Sequence, residues 1–360
     1  MNTTQDGDSV PNSTATAAGA ASAAIVFPGM GPSGFSEVGR FLLTDRYARR
    51  RLAEADEALG CSVFDGLREA TGDYSEFTQV AFLVNSMAAA DRAHDELDIA
   101  PQYCTGPSFG QKAAAAYTGA LSFADVVRLT VDLARSEQAY FAGEFADAVT
   151  HTFLRTPDEA LRTILADLDE RGEWYDVSGR LDDGFHMLSL REPELPAFKR
   201  RISEAGGYSM YSMVPPVHAP SFTGLRRHAE EEILPRYDIR APQLPVVADQ
   251  DGTLVDSADR MRTMLLDTLD RPVDWPSVVT TLRDAGVSTA YVTGPDNLFH
   301  RLNCTKTAFD VVRVGPSKPP RRPRPAGRAV PRAGRGAAPS TAPGAALQGA
   351  PRGAAAAQAG

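Results

Sequence analysis

The alternation of short apolar runs with segments of helical periodicity constrains the fold of this chain most strongly. The run AAIVFPG at 23–29 stops at Pro-Gly, as a buried strand does before a turn, and IAPQYCTG predicts a second strand just before Ser108. Residues 35–60, 78–97 and 111–119 have helical spacing, and the first and last of these segments end on glycine. Strands that alternate with helices indicate an α/β fold with a parallel sheet covered on both faces.

Residues 147–213 have a different order of elements. A first strand is followed by a helix with a threonine cap and an acidic first turn, and WYDVSGRLDDGFHMLSLR predicts a hairpin with Asp182 and Asp183 in its turn. A second helix and the closing strand GYSMYSMV complete the order βαββαβ, which is that of a ferredoxin-like subdomain. The sequence therefore predicts this subdomain as an insert in a large domain formed by 23–146 and 214–314.

Both ends of the chain are predicted to be disordered. Residues 1–22 are rich in Ser, Thr, Ala and Gly, and residues 315–360 contain basic but no acidic side chains among Pro, Ala and Gly. A basic tail can bind nucleic acid, but this composition without aromatic residues favours a solvated extension. The whole chain has 37 basic and 46 acidic residues, a net charge of −9, so we expect no general attraction to nucleic acid or to a membrane.

The remaining composition predicts a cytoplasmic protein. Cys61, Cys104 and Cys304 lack metal-type spacing, which indicates free thiols in a reducing compartment and no metal site. No run approaches the roughly 20 apolar residues that cross a bilayer. The N-terminal segment lacks the basic and apolar regions of a signal peptide.

The segment GPSFG at 106–110 places a serine between two glycines, after a predicted strand and before a predicted helix. Such a pattern alone is usually incidental. Three further segments accompany it: VFPGMG at 26–31, PPVHAPSF at 215–222, and LDRPVDWPSVVTTLRDAGVSTAYVTGP at 269–295. In this order, around a βαββαβ insert, they resemble the malonyl-CoA:acyl carrier protein transacylase family, the acyltransferases of fatty acid and polyketide synthesis. The resemblance covers about residues 23 to 312.

The resemblance implies a ping-pong acyl transfer with no metal or redox cofactor. Ser108 would attack an acyl thioester carried on the phosphopantetheine of CoA or of a carrier protein, and His218 would act as general base and then general acid. The backbone N–H groups of Phe109 and Met30 would form the oxyanion hole. Met30 stands where the family has Gln, which changes the side chain but keeps the backbone donor.

The chain departs from the malonyl transferases around the acyl group. Pro107 stands where they have a histidine, and Leu133 stands where an arginine binds the malonyl carboxylate. Arg135 is two residues further along a helix, a rotation of about 200° away from the pocket. A carboxylate left unpaired beside Leu133 costs several kcal/mol, so malonyl groups should be poor substrates.

A further departure concerns the residue that orients His218. Thr268 stands where the family has a Gln that accepts a hydrogen bond from the catalytic histidine. His218 could then be oriented by the Thr268 hydroxyl, by Asp267 or by a backbone carbonyl. We expect Pro107, Leu133 and Thr268 to line the acyl pocket.

These departures resemble a branch of stand-alone acyltransferases in macrolactam polyketide pathways, which move an aminoacyl or dipeptidyl β-amino acid starter between carrier proteins. One alternative is a malonyl-CoA or other acyl-CoA:acyl carrier protein transacylase that recruits Arg135. Another is a hydrolase of acyl-carriers, with water as the acceptor. A non-catalytic carrier-binding protein is disfavoured because Ser108 and His218 are both present.

The predicted partners are donor and acceptor acyl carrier proteins. Carrier proteins are generally acidic, so docking on an acidic enzyme requires a local basic patch. The candidates are Arg155, at the end of the first strand of the insert, and Arg301, in a segment that lies near the cleft in this family. Arg200 and Arg201 are weaker candidates.

Overall fold

The structure, a computed structural model, describes residues 22–31, 34–72 and 74–316, without the side chain of Glu37. The two terminal segments predicted to be disordered lie outside these ranges, except for residues at their inner ends.

The strands of the described ranges are, in chain order, β1 (Ser22–Val26), β2 (Tyr103–Thr105), β3 (Ala148–Leu154), β4 (Tyr175–Asp182), β5 (Phe185–Arg191), β6 (Tyr208–Met213), β7 (Val246–Val247), β8 (Leu254–Val255), β9 (Val273–Asp274), β10 (Val287–Thr293) and β11 (Asp310–Val314). The α-helices are α1 (Phe35–Thr44), α2 (Arg46–Leu59), α3 (Val63–Glu69), α4 (Glu76–Leu97), α5 (Gly110–Tyr117), α6 (Phe123–Phe141), α7 (Asp158–Arg171), α8 (Leu195–Glu204), α9 (Thr223–His228), α10 (Ala258–Asp270), α11 (Trp275–Asp284) and α12 (Asn303–Ala308).

The large domain is built on a six-stranded sheet in the order β11-β10-β1-β2-β7-β8. All neighbours are parallel except β7 and β8. Ala24 and Val26 belong to the core on one face, and Ile25 and Phe27 to the core on the other. All four are at most 1% exposed, so both faces of β1 are covered, as its uninterrupted apolar sequence predicts.

The small domain is ferredoxin-like, as predicted. Its strands lie in the order β6-β3-β5-β4, each antiparallel to its neighbour, and α7 and α8 are the two crossover helices. The predicted hairpin is β4–β5, with Asp183 and Gly184 between the strands. A fifth strand was not predicted: β9 of the large domain pairs parallel with β4, Val273 against Gly179.

The helical pattern at 35–60 forms two helices rather than one. Asp45 separates them, because its Oδ1 accepts hydrogen bonds from the N–H groups of Tyr47 and Ala48, each at 3.0 Å, and so caps the start of α2. Gly60, with φ +68°, ends α2 in the left-handed conformation that favours glycine. The period of the pattern was correct, and a capping aspartate within it marks the break.

Cys61, Cys104 and Cys304 are unpaired, as expected. No helix within the described ranges combines the length and apolar character needed to cross a bilayer.

Candidate active site

The nucleophile candidate lies on a sharp turn between β2 and α5. Ser108 has φ +55°, in the left-handed region that non-glycine residues seldom adopt. The turn is closed by the Gly110 N–H, which donates to the Pro107 carbonyl at 2.9 Å, and by the Gln111 N–H, which donates to the Ser108 carbonyl at 3.1 Å. A strained strand-to-helix turn of this kind projects the serine hydroxyl away from the sheet.

The two glycines of the GPSFG segment allow the backbone to pack this closely. A Cβ atom on Gly106 would lie 2.1 Å from the Gly110 carbonyl oxygen. One on Gly110 would lie 2.0 Å from the carbonyl oxygen of Phe27, at the end of β1. The turn therefore lies directly against the neighbouring strand end, with no room for a side chain at either position.

His218 is positioned by hydrogen bonds at both ring nitrogens. Its Nε2 lies 2.7 Å from Ser108 Oγ, and its Nδ1 lies 2.6 Å from the Thr268 carbonyl oxygen. A carbonyl only accepts, so Nδ1 carries the proton and the Nε2 lone pair faces the serine hydroxyl. Burial lowers the pKa of His218 to about 4, so the ring is neutral at pH 7. Of the three orienting groups considered, the backbone carbonyl is the one in place.

Asp249 is a buried carboxyl beside the nucleophile that sequence reasoning missed. Its Oδ2 accepts the Ser108 N–H at 2.6 Å, and its Oδ1 accepts a hydrogen bond from Gln111 Nε2. Burial raises its pKa to about 7, against the lowering effect of these hydrogen bonds. A signal was available, because Asp249 closely follows β7, which lies beside β2 in parallel, and the ends of parallel neighbours meet at one edge.

The predicted oxyanion donors lie around the same cavity as Ser108. Met30 and Phe109 both line it. Within the described part of the chain, neither backbone N–H donates a hydrogen bond to a protein acceptor. Both amides are thus available to a bound oxygen atom.

Only one of the three residues expected to line the acyl pocket does so. Thr268 lines the cavity beside His218. The prediction for Leu133 is wrong, because its side chain is 1% exposed and packs inside the core of the large domain. Pro107 is also wrong as a lining residue: it is buried in the turn, where its carbonyl bonds Gly110.

Three polar residues that the sequence analysis did not identify line the cavity instead. Lys112 of α5, Gln79 of α4 and Glu137 of α6 face it together. Lys112 Nζ donates to Gln79 Oε1 at 3.2 Å. Burial lowers the pKa of Lys112 and raises the pKa of Glu137, while the attraction between the two charges opposes both shifts.

Helical spacing could have identified one of the two charged residues. Glu137 lies four residues after Leu133 on α6. Residues four apart lie on one face of a helix, one turn along. The polar residue is therefore one turn beyond the position that was considered.

Arg135 does not approach the cavity. Its guanidinium pairs with Glu76, with Nε 2.7 Å from Oε2, and its side chain is 63% exposed. The recruitment of Arg135 as a carboxylate ligand is therefore wrong, as its rotation on the helix indicates.

Each of the two arginines predicted for carrier docking lies close in sequence to a residue that contacts the β4–β5 turn. Arg155 is exposed at the end of β3, and the next residue, Thr156, donates its N–H to the Gly184 carbonyl at 3.3 Å. Arg301 is exposed, and the Asn303 N–H close to it donates to the Asp182 carboxylate. Arg301 also lines a second, larger cavity between the domains that reaches Ser108.

The chain is similar in sequence to known acyltransferases. The family model described as the VinK acyltransferase small domain matches residues 152–213. A malonyl CoA-acyl carrier protein transacylase of Bacillus subtilis (strain 168) is 27% identical over 289 residues, which are 78% of this chain and 88% of that protein. The polyketide biosynthesis protein ThaF of Burkholderia thailandensis is 28% identical over 271 residues, 73% of this chain but 22% of that much longer protein.

Solved structures share the fold. FabD from Acinetobacter baumannii superimposes with a TM-score of 0.69 at 20% identity, covering 82% of this chain and 95% of that one. A malonyl-transacylase in complex with its type II PKS acyl-carrier protein superimposes with a TM-score of 0.70 at 20% identity, covering 81% and 96%.

Proposed function

We propose that this chain, which belongs to the malonyl-CoA:acyl carrier protein transacylase family, moves an acyl group from one acyl carrier protein to another through an ester on Ser108. The observation that carries the proposal is the 2.7 Å contact between Ser108 Oγ and the unprotonated Nε2 of His218, at a cavity that both residues line. Acyl transfer of this class serves fatty acid or polyketide synthesis, and a polyketide biosynthesis protein is among the relatives.

The first half of the reaction forms the acyl-enzyme. His218 Nε2 takes the hydroxyl proton as Ser108 Oγ attacks the thioester carbonyl. The carbonyl oxygen gains negative charge and is held by the Met30 and Phe109 N–H groups. The C–S bond then breaks, and the proton on Nε2 passes to the departing thiolate of the phosphopantetheine arm.

The second half runs the same steps in reverse. The thiol of an acceptor carrier gives its proton to His218 Nε2 and attacks the Ser108 ester, and Ser108 Oγ leaves with that proton. Water in place of the thiol would make the chain a hydrolase. The rates at which the thiol and water attack the Ser108 ester therefore decide between the two activities. The reaction uses no metal or redox group in this proposal, and we place it in the cytoplasm.

The proposed substrate is an acyl group without a carboxylate, of the aminoacyl or dipeptidyl β-amino acid type used as a starter in macrolactam polyketides. Two findings support it. Leu133, at the position of the carboxylate-binding arginine, lies in the core, and Arg135 is held at the surface by Glu76. The described residues that line the cavity include no arginine. The malonyl alternative would have to rely on Lys112, whose charge is already opposed by Glu137.

The test is to incubate the protein with candidate acyl-carriers and acyl-CoAs and to weigh the intact protein. We expect the wild type to gain the acyl mass when it is incubated with an aminoacyl-carrier. It should lose that mass when a second carrier is added. Ser108→Ala should gain no mass. Acyl mass on Ser108→Ala would refute the nucleophile assignment, and faster loading from malonyl-CoA than from an aminoacyl-carrier would favour the malonyl alternative.

A further inference from the structure

Most of the lining of the cavity beside Ser108 is hydrophobic or proline. Apart from Ser108, His218 and Thr268 of the reaction site, the polar cluster of Gln79, Lys112 and Glu137 interrupts this lining. The reaction described above uses none of these three side chains. A charge taken out of water into such a place costs several kcal/mol unless it is compensated, so the cluster requires an explanation.

Gln79 is held in one orientation by two hydrogen bonds. Its Oε1 accepts from Lys112 Nζ at 3.2 Å, while its Nε2 donates to the Tyr74 carbonyl at 3.2 Å. Because an amide oxygen only accepts and an amide nitrogen only donates, these bonds fix which end of Gln79 faces Lys112. Gln79 also acts to lower the pKa of Glu137, against the effect of burial.

Lys112 is the covered member of the cluster. Its residue is 6% exposed, and its ammonium lies 4.6 Å from the centroid of the Phe109 ring, over the ring face. One of its donors is used by Gln79. Little of its charge is therefore accessible to an incoming acyl group.

Glu137 is the member that a ligand can reach. It is partly exposed although it lines the cavity, and no lysine or arginine nitrogen of the described residues lies close enough to form an ion pair with it. A carboxylate has acceptor sites for about four hydrogen bonds, and Gln79 is the neighbouring side chain that favours its ionised form. The accessible group in this apolar cavity is thus an anionic acceptor.

We propose that Glu137, beside Gln79 and Lys112 in the cavity lining, is the binding site for the protonated amine of the acyl group. The site would take a primary or secondary ammonium on the acyl chain, whose positive charge pairs with the carboxylate. The inference rests on the proposed function, since it requires an acyl chain on Ser108, and it identifies the residue that selects an amino-substituted chain.

The test compares two thioesters of equal shape. In 3-aminobutanoyl-pantetheine the third carbon carries an ammonium, and in 3-methylbutanoyl-pantetheine a methyl group takes its place. The rate of acyl-mass gain on Ser108 is measured for both, with malonyl-pantetheine as a third probe. We expect the wild type to react at least about tenfold faster with the amine, a factor that corresponds to about 1.4 kcal/mol, because only the amine can form a charged hydrogen bond with Glu137.

Glu137→Gln should remove this preference. The substitution keeps the size of the side chain and an oxygen for Gln79, so the rate with the methyl probe should be kept or increased while the rate with the amine probe falls about tenfold. Glu144→Gln is the matched control: this exposed glutamate follows α6, and its substitution should leave both rates unchanged.

The outcomes separate this inference from the proposed function. Equal rates of the two isosteric probes on the wild type, or an unchanged ratio in Glu137→Gln, would overturn the ammonium site while acyl transfer stands. A fast malonyl reaction that Lys112→Met abolishes would overturn it in favour of a carboxylate site. Failure of every thioester to load Ser108 would overturn the proposed function, and the ammonium site with it.

Discussion

At the scale of single residues, Asp249 is a buried carboxyl group in direct contact with the nucleophile backbone. Burial raises its folded pKa to about 7, above the value near 3.9 expected in the unfolded chain. Between about pH 4 and pH 7 the folded protein therefore binds more protons than the unfolded one. In that window this group makes the free energy of unfolding fall as pH rises.

Asp249→Asn should remove that contribution. The introduced amide can still accept the Ser108 N–H, and its nitrogen can donate to Gln111 Oε1, which lacks a partner among the described residues. Urea unfolding at about pH 5 and pH 7.5 gives the measurement. We expect the wild type to lose more stability across this interval than the variant. Equal losses would show that Asp249 titrates normally.

The neutral state of His218 predicts an unusual pH profile. A histidine with its ordinary pKa loses its function as a base below about pH 6.5. Burial lowers the pKa of His218 to about 4, so Ser108 acylation by a small thioester should stay constant from about pH 8 to pH 6 and decline towards pH 4. The measurement is best made in Asp249→Asn, where the neighbouring carboxyl does not titrate. A half-maximal rate near pH 6.5 would contradict the prediction.

Residue-level sequence reasoning succeeded where the information is local. Ser108 and His218 lie in short segments of recognisable sequence, and the two side chains come into contact as expected. Asp249 and Glu137 were missed because neither lies in a short segment of recognisable sequence. Each has a role only beside a partner from another element, Ser108 for Asp249 and Gln79 for Glu137.

At the scale of elements, the turn between β2 and α5 depends on its two glycines. Gly106→Ala and Gly110→Ala would place a Cβ within about 2 Å of a backbone carbonyl oxygen. Overpacking against side chains costs typically about 1–3 kcal/mol, and backbone atoms yield less readily, so we expect a loss of about 3 kcal/mol and of acylation. Gly31→Ala should keep the free energy of unfolding, because its Cβ would meet no atom within 4 Å among the described residues other than its chain neighbours. Thermal unfolding of the three variants tests this, and equal midpoints would contradict it.

The elements predicted correctly are those with enough residues to show a periodicity of hydrophobic side chains. The apolar run of β1 and the hairpin β4–β5 are examples. The strands β7, β8 and β9 contain two residues each, and two residues carry no periodicity. Each of these strands forms only by pairing with a neighbouring strand, and the local sequence does not specify that neighbour.

At the scale of the whole molecule, docking of a carrier protein depends on surface residues outside the acyl pocket. Arg155→Ala and Arg301→Ala should raise the KM for an acyl-carrier, more strongly at low salt because charge attraction is then less screened. Transfer from a small thioester should be unaffected. Arg162→Ala is a control, since this arginine of α7 has a 70% exposed side chain and is not among the predicted docking residues. Equal losses with carrier and small thioester would place the two arginines in the acyl pocket or in the fold.

The order of elements along the chain was sufficient to predict an α/β domain with a ferredoxin-like insert. It was not sufficient to predict how the two are joined, because β9 leaves the large domain to pair with β4 of the small one. That contact links residues about 94 positions apart, Arg180 and Asp274, which also form an ion pair at 3.0 Å.

The pairing of β9 with β4 has a mechanical consequence. Directly after β9, the indole of Trp275 is fully buried and donates to Thr305 Oγ1 at 2.8 Å, which anchors the strand in the large domain. Rotating one domain away from the other would require backbone hydrogen bonds of a shared ladder to break. We therefore expect the two domains to open little about any hinge. The space between them then keeps a nearly fixed width. It therefore selects an acyl-pantetheine arm by the thickness of that arm rather than by closing around it.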